Sequence, residues 1–302
     1  MLAKLRQREQ GKRTPKLGTM ARNMKASGDC YACLRSLAYQ AAGLATEDAR
    51  LRKKAVEKGL TALEDNFSTD KVSIVIATRI HDAIKQITGN PDPYKEVKKR
   101  EIEIAKRLYH DSSRVEKEDF AECLRFAAWG NTMDFFKQSD SIEEDMVKPV
   151  SFVVDDSEHF ERKIKHGGRV LYLADNAGEV FFDLPLVKWL GQHADVVYVV
   201  KPSPIQNDVT FEDVGYAGLE EELGQIMTTG SATPGIDFSS ASTRFVQEFE
   251  SADLIFAKGM GYYESLTELP AEGKVLHCLR AKCQPVARSL AVPLNSYVAM
   301  VR

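Results

Sequence analysis

Along the first half of the chain, apolar residues recur three and four positions apart with charges between them, the spacing of one helical face after another. Such stretches run from about Tyr31 to Asn66, Val72 to Thr88, Tyr94 to Tyr109 and Lys117 to Trp129; in the second, Ile80, Ile84 and Ile87 share a face. Thr88-Gly89-Asn90-Pro91-Asp92-Pro93 predicts a turn, because Gly accepts positive φ and each Pro restricts the residue before it. Gly130-Asn131 predicts the end of the helix that finishes at Trp129. From about Arg169 the pattern changes to short apolar runs alternating with amphipathic segments. Val170–Leu173, Val196–Val200, Leu254–Ala257, Lys274–His277 and Tyr297–Val301 read as strands. Runs apolar on both faces and separated by helices predict an α/β fold: a mostly parallel open sheet with helices on both faces, preceded by an all-helical N-terminal domain. The expected division is a basic, poorly ordered extension over 1–23, a helical domain over 24–150 and an α/β domain over 151–302, with the boundary near Met146 to Asp156.

Composition narrows the classes. With 302 residues, 43% hydrophobic and 28% charged, the chain has enough apolar material for one large or two modest cores. A formal net charge of −3 offers no global attraction to nucleic acid or an anionic membrane, and no apolar run approaches the roughly 20 residues that span a bilayer. The Lys- and Arg-rich segment from Met1 to about Met24 reads as a solvated arm rather than a nucleic-acid-binding one. Five cysteines, an odd number, do not form a disulfide framework, and a reducing cytoplasm is the expected location.

Loops that follow parallel strands gather at one sheet edge, where open α/β sheets bind ligands. Three such loops are Asp175-Asn176-Ala177-Gly178-Glu179, Lys201 to Asp208, and Lys258-Gly259-Met260-Gly261. Carboxylate and amide oxygens without a neighbouring His or Cys suit a hard divalent cation such as Mg²⁺ or Mn²⁺. Each piece has a structural alternative. Asn176 with Glu179 three residues on fits a capping box, Asn207-Asp208 fits a turn, and Lys258 fits a solvated strand end. Three polar loops converging on one edge favour a site.

At this level the sequence is similar to the DUF89 proteins, also called damage-control phosphatases or the ARMT1-like family, in the branch carrying an N-terminal Cys-x-x-Cys. The motifs that carry the resemblance are Cys30-Tyr31-Ala32-Cys33, Asp92-Pro93-Tyr94, Gly130-Asn131-Thr132-Met133-Asp134, Asp175 to Glu179, Asn207-Asp208-Val209-Thr210, Lys258 to Gly261 and Leu279-Arg280-Ala281-Lys282-Cys283. The resemblance implies a phosphatase that hydrolyses a small phosphorylated metabolite, sugar-phosphate-like or damaged, with a divalent metal ion (Mn²⁺, Mg²⁺, Ni²⁺ or Co²⁺). It implies metal ligands at Asp175, Asn176 and Asp208, an acidic catalytic position at Glu179, and substrate contacts at Lys258, Gly259, Lys282 and Asn131. The segment Arg280-Ala281-Lys282 lacks the Arg-Thr-x-Lys signature of the eukaryotic branch. The expected chemistry is direct attack on phosphorus by a metal-oriented water, since no Asp-x-Asp signature of an aspartyl-phosphate enzyme is present.

Two other functions stay open on sequence. One is a carboxyl methyltransferase using S-adenosylmethionine, disfavoured because the first strand leads into Asp-Asn-Ala-Gly-Glu rather than a Gly-rich turn. The other is a non-catalytic metal- or metabolite-binding protein. Cys30 and Cys33 have metal or redox spacing, and Cys278 and Cys283 would complete a four-sulfur set, but packing is the favoured reading for them and for Cys123. His277 reads as a satisfied, partly buried imidazole at a strand end near the crevice.

Overall fold

Local capping chemistry divides the N-terminal half more finely than periodicity does. The computed structural model describes residues 24–111, 119–132, 149–270 and 272–302. The extension over 1–23, residues 117–118 of the last predicted helix, Met133 and Asp134, and residues 146–148 of the expected boundary lie outside the described residues. The stretch from Tyr31 to Asn66 is two helices, α1 (Gly28–Ala45) and α2 (Ala49–Asn66), rather than one. Between them the Asp48 carboxylate accepts the N–H groups of Arg50 at 2.7 Å and Leu51 at 3.0 Å, which starts a new helix. Helix α3 (Ser73–Thr88) ends on Gly89, whose φ of 68° is free of cost only for glycine. Helices α4 (Lys95–Asp111) and α5 (Phe120–Gly130) complete the first half.

Two cores divide these helices. Ala38, Ala41 and Ala42 of α1, Ala55 and Leu63 of α2, and Ile76, Ile80 and Ile84 of α3 pack together. Small residues on α1 let the helices approach closely. Gly59 of α2 serves the same end, since a Cβ there would lie 3.1 Å from the Ile84 side chain. Helices α4 and α5 instead give Ile102, Ala105, Phe120, Leu124 and Ala127 to the core that covers one face of the sheet.

The second half runs β1 (Phe152–Asp155), α6 (Ser157–Ile164), β2 (Arg169–Leu173), a 3₁₀ turn (Ala177–Glu179), α7 (Val180–Gly191), β3 (Asp195–Val200), α8 (Phe211–Ala217), α9 (Glu220–Leu223) and β4 (Gln225–Thr228). It continues through α10 (Thr243–Ser251), β5 (Leu254–Lys258), α11 (Gly259–Leu266), β6 (Val275–Arg280), α12 (Gln284–Leu290) and β7 (Tyr297–Val301). The strand order is β1-β7-β6-β5-β2-β3-β4. β6, β5, β2, β3 and β4 are mutually parallel, whereas β7 is antiparallel to β6 and carries β1 parallel to itself, so both run against the rest. Alternate residues of β2 serve different cores: Val170 and Tyr172 face one, Leu171 and Leu173 the other. That is why the strand is apolar on both faces.

After β2 the chain moves outward to β3 and β4, then returns to place β5 on the other side of β2. The reversal opens a crevice above the carboxyl ends of β2 and β5. Asp175 and Gly259 follow those two ends. No helix among the described residues is long and apolar enough to cross a membrane.

His81 of α3 is fully buried; its Nδ1 donates to the Ala77 carbonyl at 2.9 Å, and its Nε2 lies 3.3 Å from the Tyr94 hydroxyl. Burial lowers its pKa from 6.5 to about 4. The unfolded chain therefore binds a proton that the folded chain refuses between those values, and stability present above pH 6.5 is lost as pH falls toward 4. The expected loss from this residue is on the order of 3 kcal/mol. His81→Gln keeps a polar side chain without the titration. Urea unfolding between pH 7 and pH 4 should show a shallower decline in the variant than in the parent chain.

Candidate active site

Backbone hydrogen bonds join the loops after β2 and β3. The Ala177 N–H donates to the Asn207 carbonyl at 2.8 Å and the Val209 N–H to the Asp175 carbonyl at 2.9 Å, pairing Asn176 with Asp208 as an antiparallel bridge. Gln206, at a φ of 49°, turns the chain into Asn207. Past the turn, Thr210 and Asp213 form the capping box of α8, and Asp213 also takes the Lys98 ammonium at 2.8 Å. Lys98 bonds Asp92 at 2.9 Å as well, so the Asp-Pro-Tyr segment is tied to the Asn-Asp-Val-Thr loop.

Asp175, Asn176 and Asp208 line a cavity of about 540 Å³. Gly259 makes room for them: its φ is 77°, and a Cβ there would fall 1.9 Å from Asp175 Oδ2. Asp208 is buried, and its Oδ2 has no hydrogen-bond partner among the described residues. The nearest cation to that oxygen is Lys201, 3.6 Å away, whose ammonium also donates to the Tyr262 hydroxyl at 3.0 Å and to the Gly235 carbonyl. Burial, which Lys201 only partly offsets, raises the Asp208 pKa to about 6. Burial together with Glu179 and Asp208 lifts Asp175 well above the carboxylate range.

Glu179 is fully buried and accepts from three donors: Asn131 Nδ2 at 2.6 Å, Asn176 Nδ2 at 2.6 Å and Lys258 Nζ at 2.5 Å. The capping-box alternative is not what forms, since the Asn176 side chain caps no backbone N–H. With its nitrogen directed to Glu179, Asn176 keeps its oxygen, the atom a hard cation takes, for another partner.

Lys258 is neither a solvated strand end nor part of the cavity lining. It is fully buried, ion-paired with Glu179 and Asp183, and Asp183 accepts the Tyr198 hydroxyl at 2.7 Å. Burial alone would lower its pKa, but the two acids outweigh that and raise it. The lysine that lines the cavity is Lys282, in the loop after β6, and its charge opposes the rise of the Asp175 pKa. Asn131 lines the cavity beside Glu179, and Gly259 sits beneath Asp175.

Asp183 escaped the sequence reading, although an acid inside Val180-Phe181-Phe182-Asp183-Leu184 is a readable sign of a buried partner. Cys30, Cys33 and Cys283 line the cavity wall while Cys278 is buried in the core, so the four sulfurs do not form one set. No disulfide joins any of the five cysteines among the described residues. Burial pushes the Cys283 thiol up to about 12, a protonated and unreactive state.

The residues fit a hard cation on three grounds: an orphaned buried carboxylate oxygen, a glycine cradle under a second carboxylate, and an oriented amide between them. Among the described residues no three His, Cys, Asp or Glu side chains form a group able to hold a metal. The acids alone are therefore too few, and a cation held here would also need the Asn176 oxygen and water, as Mg²⁺-like ions commonly do.

Fold and site together are those of an α/β enzyme with an acid-and-amide cluster over the sheet's switch point. The model of the damage-control phosphatase ARMT1-like domain matches residues 26–298, and the chain belongs to that family. It is 32% identical over 284 residues to a damage-control phosphatase of Pyrococcus horikoshii, covering 92% of this chain and 98% of the relative. A damage-control phosphatase of Archaeoglobus fulgidus is 32% identical over 289 residues, covering 92% and 99%. An uncharacterized protein of Methanocaldococcus jannaschii is 34% identical over 295 residues, covering 93% and 96%. The crystal structure of a DUF89 family protein from P. horikoshii superposes with a TM-score of 0.85 at 31% identity, covering 92% of this chain and 99% of that one.

Gly259→Ala tests the cradle. The added methyl collides with Asp175, and positive φ adds roughly 1–2 kcal/mol of strain. The expected result is a folded protein with a modestly lowered melting temperature and at least about tenfold weaker Mn²⁺ binding by calorimetry. Undiminished binding would mean that Asp175 need not occupy this position.

Proposed function

We propose that this phosphatase hydrolyses the phosphate ester of a small metabolite, with a divalent cation held by Asp175, Asn176 and Asp208. The observation that carries the reading is that those three residues line one cavity together with Lys282. When bound, a cation such as Mn²⁺, Mg²⁺, Ni²⁺ or Co²⁺ polarises the phosphoryl group and makes water a stronger nucleophile at neutral pH.

The chain's own groups do the positioning. Lys282 offers a charge-assisted contact to a phosphate oxygen. Met260 and Gly261, in the first turn of α11, line the cavity, and a helix start is where backbone N–H groups are left for anions. Glu179, which accepts from three donors, keeps the Asn176 amide in its orientation. Lys258 acts from beneath by holding Glu179. The cavity volume lies within the roughly 300–1,000 Å³ typical of small-molecule sites, which suits a metabolite better than a macromolecular phosphate. Leu34, Leu37 and Ile74 give its far wall an apolar character, so the body of the substrate meets the helical half.

The test is turnover of p-nitrophenyl phosphate and a phosphometabolite panel with each divalent metal, run beside labelled S-adenosylmethionine transfer. Metal-stimulated phosphate release without methyl transfer is expected, and the reverse pattern would remove the reading. Asp208→Asn should abolish most metal binding and turnover while the fold persists. The two lysines should then separate. Lys282→Ala loses one charge-assisted contact, about 1.5–3 kcal/mol, or roughly tenfold to hundredfold in kcat/KM, with little change in melting. Lys258→Met strands two buried acids and should cost about 3–5 kcal/mol of stability. Equal stability in both variants would contradict the division of roles.

A further inference from the structure

A second cavity, of about 230 Å³, is lined by Leu266 at the far end of α11 and Leu269 just beyond it, with Phe238, Phe249, His277 and Arg302. Its polar groups are short of partners. His277, in the middle of β6, is 1% exposed, and neither ring nitrogen has a hydrogen-bond partner among the described residues. The Arg302 Nη1 is likewise buried and unpartnered, while its Nη2 donates weakly to the Leu269 carbonyl at 3.4 Å. Native proteins seldom leave such groups unmade, because each costs free energy that a partner would recover.

The other cation lining this cavity is already engaged. Lys274 donates to the Phe249 and Glu250 carbonyls, each at 3.3 Å, and lies 3.6 Å from Glu272. Glu250 and Glu272 complete the charged part of the lining. The edge-on Tyr263 ring, 5.4 Å from the imidazole, fixes the position of His277. Burial and the neighbouring guanidinium keep that imidazole neutral, with a pKa near 3. It therefore offers one donor and one acceptor across the physiological range.

We propose that this cavity is a second ligand site, for a small carboxylate with a flat apolar body. The guanidinium of Arg302 and the N–H of His277 take the carboxylate, as charge-assisted and neutral donors respectively. Phe238, Phe249, Leu266 and Leu269 take the body. The volume falls below the range of drug-sized pockets, so the ligand is of single-ring size. Helix α11 connects the two cavities, with Met260 and Gly261 at its start lining the first and Leu266 at its end lining the second.

The experiment titrates benzoate into the full chain by calorimetry, with Mn²⁺ and saturating inorganic phosphate present so that the first cavity is occupied. One-to-one binding with a Kd of about 1 mM or tighter is expected, and benzamide, which has the shape without the charge, should bind at least about tenfold more weakly. Arg302→Gln removes the guanidinium and Leu269→Trp fills the space. Each should weaken benzoate binding about tenfold or more while melting confirms the fold. The readout does not involve turnover, so its result stands apart from that of the phosphatase assay. Absence of saturation near 10 mM, equal binding of benzamide, or affinity untouched in both variants would overturn the site. So would a crystal soaked in benzoate that shows only ordered water between His277 and Arg302.

Discussion

One buried ammonium holds the centre of this molecule together. Lys258, at the end of β5, pairs with Glu179 in the turn after β2 and with Asp183 one helical turn further on. Through Glu179 it reaches Asn131 at the end of α5 and the Asn176 amide over the cavity. Elements distant in sequence are thereby registered by a single charge. Burying three ions is costly, and a hydrophobic replacement of matching shape would stabilise the fold at least as well. What the arrangement supplies is position: an amide oxygen aimed by a carboxylate that cannot move.

The charge balance around that centre explains why the residues suit a cation. Asp175, Asp208, Glu179 and Asp183 face Lys258, Lys201 and Lys282 in a confined volume. Asp183 and Glu179 absorb Lys258, and Asp208 has only the more distant Lys201. Burial is the largest cause of the raised pKa values at Asp175 and Asp208, and at Asp175 the neighbouring Glu179 and Asp208 add to it. A divalent ion would supply the missing charge and displace protons as it did so, which makes its affinity depend on pH.

Much of this architecture was legible in the residue pattern, for identifiable reasons. β2, β3 and β5 are buried on both faces, so their apolar runs stand out, and the loops that follow them carry acids and amides. The edge strands β1 and β4, of four residues each, have too few apolar positions to register. Strand direction was not legible either, because an apolar pattern is the same read up or down, so the reversal of β7 and β1 emerges only from pairing. At the site, Asp175, Asn176 and Asp208 follow from loop position, and the structure brings them together. The role expected of Lys258 as a phosphate contact met a different placement. A lysine ending an apolar strand does not reveal which acids lie beside it, and Asp183 comes from a different helix. His277 differs for the same reason: it is mid-strand and wholly buried, and it faces the second cavity rather than the crevice.

The two ends of the first cavity are held by different means. At the acid end the loop after β4 is locked against α11, because Gly235, at a φ of 69°, sits where a Cβ would meet the Gly261 carbonyl at 2.1 Å. Lys201 fastens the Gly235 carbonyl from below. Neither backbone can shift without disturbing the other or the lysine beside Asp208. At the opposite end, Leu34, Leu37 and Ile74 come from α1 and α3, whose packing core is separate from those flanking the sheet. Within one fold, the acid end is therefore constrained by backbone contact and buried charge, while the helical wall is tied to α11 by the Ser73 hydroxyl, which donates to Glu264.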